Sequence, residues 1–226
     1  MKKSARIAGL VYFAIVLTDV ISLAVGNEAI PAFLKPFLMP SLAVAALCAL
    51  LPKHWGKLTL LMIIGLLFHT SGDVLLLMTD RGFIFFALGL ASFLIGHMFY
   101  LAVLCHGMGK LKGWKEIIPF IVPVFMVVPA ALAFKVSAGL TTALAAYGYS
   151  LLAVSATGVI WAMRGRKLSW RIIVGGVVFL FSDIFVALNS LLDVDFFCRH
   201  AMVMFTYLVA EWFLVSTMTR WILKEK

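Results

Sequence analysis

Asp73 lies inside the apolar run LTLLMIIGLLFHTSGDVLLLM, and Asp183 lies inside IIVGGVVFLFSDIFVALNSLL. A charge near the centre of a bilayer is costly, so such residues face a bundle interior or a wet cavity and mark a functional site. Each acid follows a small residue, Gly72 or Ser182. A carboxyl group in a low-dielectric site tends to keep its proton, and two close carboxyls do not easily ionise together. One then serves as a general acid while the other takes a proton from water as a general base. That pairing suits acid-catalysed hydrolysis inside a membrane.

Other polar residues sit away from the ends of the apolar runs. They are Asp19, His69, His97, Tyr100, Ser182, Asn189, Tyr207 and Glu211. Tyr147 and Tyr149 read as packing residues. His69 and Asp73 are four apart, so they share a helix face, and His69 is expected to orient Asp73. At about 1.5 Å of rise per residue, Asp73 falls roughly 9 Å and Asp183 roughly 14 Å in from the outer ends of their spans. The polar band therefore runs from mid-membrane into the outer half, where a cavity would hold a lipid headgroup and the first chain atoms.

The elements that must position these residues are helices. The chain has 226 residues, 64% of them hydrophobic and only 13% charged, against roughly a quarter charged in a soluble domain. Its mean hydropathy is +1.09. Only helices or closed barrels span a bilayer. Barrel strands would alternate apolar and polar residues, whereas these segments are continuously apolar over about 20 residues. The expected fold is all-α, a polytopic bundle of eight transmembrane helices. The spans read as 5–25, 37–51, 58–79, 83–106, 116–135, 140–163, 172–192 and 199–222. The second is short and crowded by Pro36 and Pro40, which suggests a tilted, half-inserted or broken helix. No linker is long enough for a second domain and no internal repeat is visible, so residues 1–226 read as one membrane domain.

Charge placement tests the count. With the N-terminus in the cytoplasm, the inner side holds Lys2, Lys3, Arg6, Lys53, Lys57, Lys110, Lys112, Lys115, Arg164, Arg166, Lys167, Arg171, Arg220, Lys224 and Lys226. The outer side keeps Lys35, Arg81, Lys135 and Arg199, the remaining four of 19 basic residues. Every inner loop obeys the positive-inside rule, which places both termini in the cytoplasm. Short loops and this pattern point to a bacterial inner membrane. The net charge of +9 is topological and implies no nucleic-acid partner. Cys48, Cys105 and Cys198 form no CxxC pair and read as small apolar packing residues. The N-terminal run carries Asp19, which fits an uncleaved first helix better than a signal peptide. Ser92 with Gly96, and Gly175 with Gly176, offer small faces for helix packing.

The chain resembles the YhhN/TMEM86 family of multi-pass membrane proteins. The matching stretches are Lys35-Pro36-Phe37-Leu38-Met39-Pro40, Ser71-Gly72-Asp73-Val74-Leu75-Leu76-Leu77-Met78, the run from Gly89 to Tyr100, and Ser182-Asp183. They lie in the family's order over most of the chain. The family commonly has a glutamine in its last span where this chain has Glu211. The resemblance implies a lysoplasmalogenase, which cleaves the vinyl-ether bond of a lysoplasmalogen to a fatty aldehyde and a glycerophospho-ethanolamine or -choline. It also implies Asp73 and Asp183 as the catalytic pair. Asp183 is expected as the acid and Asp73 as the base, with Lys35 meeting the lipid phosphate. Asp19, His69, His97, Tyr100, Ser182, Tyr207 and Glu211 are expected around the substrate. No metal and no cofactor is expected.

Two other classes remain open. A zinc-dependent lipid hydrolase would need about three protein ligands and a water, for which His69, Asp73, His97 and Asp183 are the candidates. A transporter or lipid-binding protein would use the acids as a proton relay, although inverted repeats are not visible. Gly72-Asp73 also resembles half of a GxGD protease core, but Thr70 breaks the motif.

Overall fold

A computed structural model describes residues 3–51, 53–192 and 199–225, with the side chains of residues 189, 190 and 192 also outside the description. Asn189 and Cys198, named above, therefore lie outside the described side chains. Eight helices run through the described residues: α1 (Lys3–Ala24), α2 (Ala29–Leu50), α3 (Lys57–Leu76), α4 (Phe83–Met108), α5 (Ile118–Ala133), α6 (Ala138–Met163), α7 (Ser169–Leu192) and α8 (Arg199–Ile222). With the short 3₁₀ turn Trp114–Glu116 leading into α5, all eight are long and apolar enough to cross a bilayer. No strand occurs among the described residues.

The second span differs from its expectation of 37–51. It starts at Ala29 and runs straight through Pro36 and Pro40. Each proline withholds one hydrogen from the carbonyl a turn earlier. A membrane helix survives this when its surroundings satisfy the freed groups. The start is set by Asn27, whose Oδ1 accepts hydrogen bonds from the N–H groups of Ala29 at 3.1 Å and Ile30 at 3.3 Å. This is the role for which short polar side chains are favoured at helix starts.

The third span is shorter than 58–79. Helix α3 ends at Leu76, and a separate 3₁₀ turn covers Thr79–Arg81. Asp73 thus sits on the last turn of α3, closer to the helix end than expected. Gly26 and Gly109 close α1 and α4 with φ of 80° and 69°, a conformation that costs glycine little.

Sequential helices pack side by side from α1 to α4 and from α5 to α8. Contacts of α4 with α6, and of α8 with α1 and α2, draw the two runs into one bundle. Helices α6 and α8 are the most buried, and α1 and α5 lie at the periphery. Lipid offers no hydrophobic drive between helices, so close packing comes from small residues and polar links. The α3–α4 interface illustrates both. A Cβ at Gly65 would stand 2.7 Å from the Tyr100 ring, and one at Gly72 would stand 2.7 Å from the Phe93 ring. Ser92 Oγ donates to the Phe68 carbonyl at 2.7 Å. Gly175 and Gly176 likewise seat Leu214 of α8 and Ser155 of α6.

Charged side chains gather at both ends of the bundle. Arg6, at the start of α1, shares a surface hollow with Arg220 at the end of α8. On the same end, Arg164 gathers the α4–α5 connection. Its Nη2 donates to Glu116 Oε2 at 2.6 Å and to the Lys110 carbonyl at 2.9 Å, and its Nη1 donates to the Met108 carbonyl. Lys35, Arg199 and His200 gather at the opposite end.

Candidate active site

Four helices carry the two acids and their partners. Asp183, on α7, accepts a hydrogen bond at Oδ2 from the hydroxyl of Tyr147 on α6, at 2.5 Å. Asp73, on α3, accepts one at Oδ2 from the hydroxyl of Tyr207 on α8, at 2.9 Å. Asp73 is 3% exposed, whereas Asp183 is partly open. Each carboxylate is therefore held by a phenol from a different helix. An unmet carboxylate oxygen in such a site would be costly.

His69 departs from expectation. It does share a face with Asp73, but its Nδ1 pairs with Glu211 Oε1 instead. Glu211 Oε2 in turn accepts from the Tyr100 hydroxyl at 2.8 Å. Tyr207 thus takes the orienting role assigned to His69. The reason is reach across the bundle: α8 presents Tyr207 and Glu211 one turn apart, matching Asp73 and His69 one turn apart on α3. His69, His97, Tyr100 and Glu211 all have 0% exposure.

Phe179 was not expected at the site. It lies one turn before Asp183 on α7, with its ring centroid 4.5 Å from His97 and 5.2 Å from Tyr207. Phe93 lies beside it, 5.9 Å from Tyr207. An apolar residue inside an apolar run carries no sequence signal for this place. Tyr147 carried the signal of a polar tip in mid-span, but only the α6–α7 packing distinguishes it from Tyr149.

Two cavities meet here. The first is an apolar chamber of about 280 Å³ walled by α4, α5, α6 and α7, with Tyr147 and Asp183 as its polar features. The second is a hollow of about 420 Å³ that includes Glu28, Lys35, Arg199 and His200. Within it His200 Nδ1 lies 3.2 Å from Glu28 Oε1. Leu76 and Val186 line both cavities. Each stands one turn beyond an acid, Leu76 after Asp73 and Val186 after Asp183. Asp183 thus opens onto the apolar space, while Asp73 is buried one turn before Leu76, which the apolar and charged spaces share.

The other expected substrate contacts are placed as follows. Lys35 lines the hollow and is near enough to act electrostatically on both Asp73 and Asp19. Asp73, His69, His97, Tyr100, Ser182, Tyr207, Glu211 and Asp19 line neither cavity. Ser182 is used in packing: its Oγ donates to the Val203 carbonyl at 3.0 Å and ties α7 to α8. Asp19 is fully buried on α1, and its oxygens find no hydrogen-bond partner among the described residues. Among the described residues, no three of His, Cys, Asp and Glu converge as metal ligands.

No curated protein and no solved structure matches the chain. The sequence pattern of the YhhN family matches residues 30–218, which takes in both acids, their tyrosines, His69, His97 and Glu211 but leaves the whole of α1, with Asp19, outside. Spanning seven of the eight described helices, this match shows that the protein is a member of the YhhN family.

Proposed function

We propose that this membrane protein hydrolyses the vinyl-ether bond of a lysoplasmalogen, releasing a fatty aldehyde and a glycerophospho-ethanolamine or -choline. One observation carries the reading: a tyrosine-held carboxylate, Asp183, lines an apolar chamber that shares Leu76 and Val186 with a cationic hollow, and a second, Asp73, is held by Tyr207 one turn before Leu76. A lysolipid has the same division, with a chain for the chamber and a phosphate for the hollow. Family membership supports the same activity through the resemblance described above.

The chemistry asks little of the protein beyond placement and proton transfer. With the chain in the chamber and the phosphate near Lys35 as a point charge, the vinyl ether lies beside Leu76 and Val186. Asp183 faces the chamber and acts as the acid. Its proton passes to the β-carbon, the double-bond electrons form the new C–H bond, and positive charge spreads onto the ether oxygen. Asp73, held by Tyr207, acts as the base. It takes a proton from water as that water bonds to the α-carbon. The resulting hemiacetal collapses to aldehyde and alcohol. The lipid substrate and a bacterial inner membrane are part of this proposal.

The test is aldehyde release from a lysoplasmalogen by the detergent-purified protein, with Asp73→Asn and Asp183→Asn beside it. Aldehyde from the wild type and its loss from both folded variants is the expected result. Wild-type protein that is folded yet releases no aldehyde, or variants with full activity, would overturn the reading.

A further inference from the structure

The surface hollow shared by Arg6 and Arg220 takes no part in the site described above. It has a volume of about 530 Å³ and opens between α1, α2 and α8. None of its lining residues lines the apolar chamber or the charged hollow beside Lys35. Its shape follows from the sequence. Ala5 and Gly9 on α1, with Ala45, Ala46 and Ala49 on α2, leave a slot along the middle. A Cβ at Gly9 would meet nothing within 4 Å. Phe13 and Trp212 form the floor of the slot, with ring centroids 4.6 Å apart. Arg6 and Arg220 stand at its rim. Arg6 precedes Phe13 by seven residues and Arg220 follows Trp212 by eight. Rim and floor are therefore about 10–12 Å apart along the helix axes.

The rim carries positive charge without a matching acid. Among the described residues no Asp or Glu lines the hollow, and neither Arg6 nor Arg220 pairs with a carboxylate. Glu225, five residues beyond Arg220, lies 3.4 Å from His106 Nε2 instead. A third guanidinium stands close. Arg171 of α7 donates through Nη1 at 3.4 Å to the hydroxyl of Ser216, which lines the hollow, and it is near enough to repel Arg220. The Nε of Arg171 is buried and finds no partner among the described residues. Guanidinium groups over an apolar slot complement a phosphate that carries a hydrocarbon chain, since their planar forks match phosphate oxygens. Basic pockets between transmembrane helices hold anionic lipid headgroups in this way.

We propose that this hollow binds one anionic phospholipid of the surrounding bilayer, with its phosphate at Arg6 and Arg220 and an acyl chain in the slot above Phe13 and Trp212. The site is independent of the hydrolase reading. A second copy of the chain is a poorer occupant. Two copies with the same orientation in a membrane are related by an axis along the bilayer normal, and a two-fold interface sets each patch against itself. Every level of the hollow would then face its own level, and arginines would meet arginines. The bound lipid braces α1, a peripheral helix, against α8. It does so beside the link already made there, where the Tyr12 hydroxyl donates to the Leu208 carbonyl at 3.2 Å, one turn before Trp212.

The test compares two lipids that differ in charge. Full-length protein in a non-ionic detergent receives phosphatidylglycerol or phosphatidylcholine with the same acyl chains. Phosphatidylglycerol is expected to raise the unfolding midpoint on the order of 5 °C above phosphatidylcholine, as a ligand bound only by the folded state does. It should also stay on the protein in native mass spectrometry, one lipid per chain. Arg6→Gln combined with Arg220→Gln is expected to abolish both effects. Lys110→Gln combined with Lys167→Gln, which removes the same charge elsewhere, should keep both. Gly9→Leu fills the slot and leaves the arginines in place, so it should lose both effects and carries the test where the double arginine variant does not fold. Equal shifts from the two lipids on wild type, equal losses in the arginine and lysine variants, or a dimer that retains no lipid would overturn the proposal.

Discussion

Tyr147 of α6 donates its phenolic hydrogen to Asp183 Oδ2 of α7 at 2.5 Å, in a chamber whose walls are otherwise almost wholly apolar. Tyr207 makes the equivalent link to Asp73 between α8 and α3. Both acids are therefore positioned from across a helix interface, and packing errors of an ångström anywhere along those interfaces reach the carboxylates directly.

Removing either hydroxyl while keeping the ring isolates that contribution. Hydrogen bonds to charged groups are worth about 1.5–3 kcal/mol. Tyr207→Phe is accordingly expected to lower kcat roughly 10- to 100-fold, since 1.36 kcal/mol is a factor of ten. Thermal unfolding in detergent should move little. Tyr147→Phe should act in the same direction. Combining Tyr147→Phe with Asp183→Asn should cost no more than the aspartate change alone, and additive losses would show that the tyrosine acts elsewhere.

The rate should be bell-shaped in pH. Below its optimum the base becomes protonated and cannot take a proton from water; above it the acid loses the proton needed by the β-carbon. The two limbs belong to the coupled pair and not to either residue alone. Profiles of kcat against pH for wild type and for the Asp→Glu variants would test this. A flat profile between pH 4 and pH 9, roughly the span in which carboxyl groups titrate in buried sites, would remove the acid–base assignment.

Lys35 separates headgroup binding from bond cleavage. It lines the charged hollow and not the apolar chamber. Lys35→Met should raise KM for a lysoplasmalogen by about 10-fold, the value of a modest charged contact at 1.4 kcal/mol per decade. It should leave KM for a phosphate-free 1-alkenylglycerol unchanged. Equal effects on both substrates would place Lys35 outside headgroup recognition.

The α3–α4 interface has no room for a methyl group near the site. Gly72→Ala puts a Cβ 2.7 Å from the Phe93 ring, and a Cβ at Gly96 would run into the His69 imidazole. Overpacking of this kind costs about 1–3 kcal/mol. Gly72→Ala is expected to unfold at a lower temperature than wild type, while Gly9→Ala, with nothing within 4 Å of its new Cβ, should be neutral or better. Similar melting of both variants would show that α3 and α4 yield at this contact.

Several features were legible along the chain. Apolar runs of bilayer length determined eight helices, because in lipid each segment must satisfy its own backbone. The boundaries of α8 were read to the residue, and those of α4 and α6 to within two. Asp73 and Asp183 stood out because the surrounding composition makes a carboxyl expensive. Pro36 and Pro40 misled the reading of α2, since proline's penalty in water overstates its effect in a packed membrane helix.

The pairing of side chains was decided only in three dimensions. Spacing along α3 placed His69 and Asp73 on one face, but it could not show that α8 meets that face with Tyr207 opposite Asp73 and Glu211 opposite His69. Nor could it show that Phe179 stands among the site's rings, or that Leu76 and Val186 each divide a chamber from a hollow one turn beyond an acid. Helical periodicity is a property of one segment and is written in its sequence. Which face meets which neighbour depends on the packing of all eight helices at once, where glycines set the approach and each polar group must find its partner across the gap.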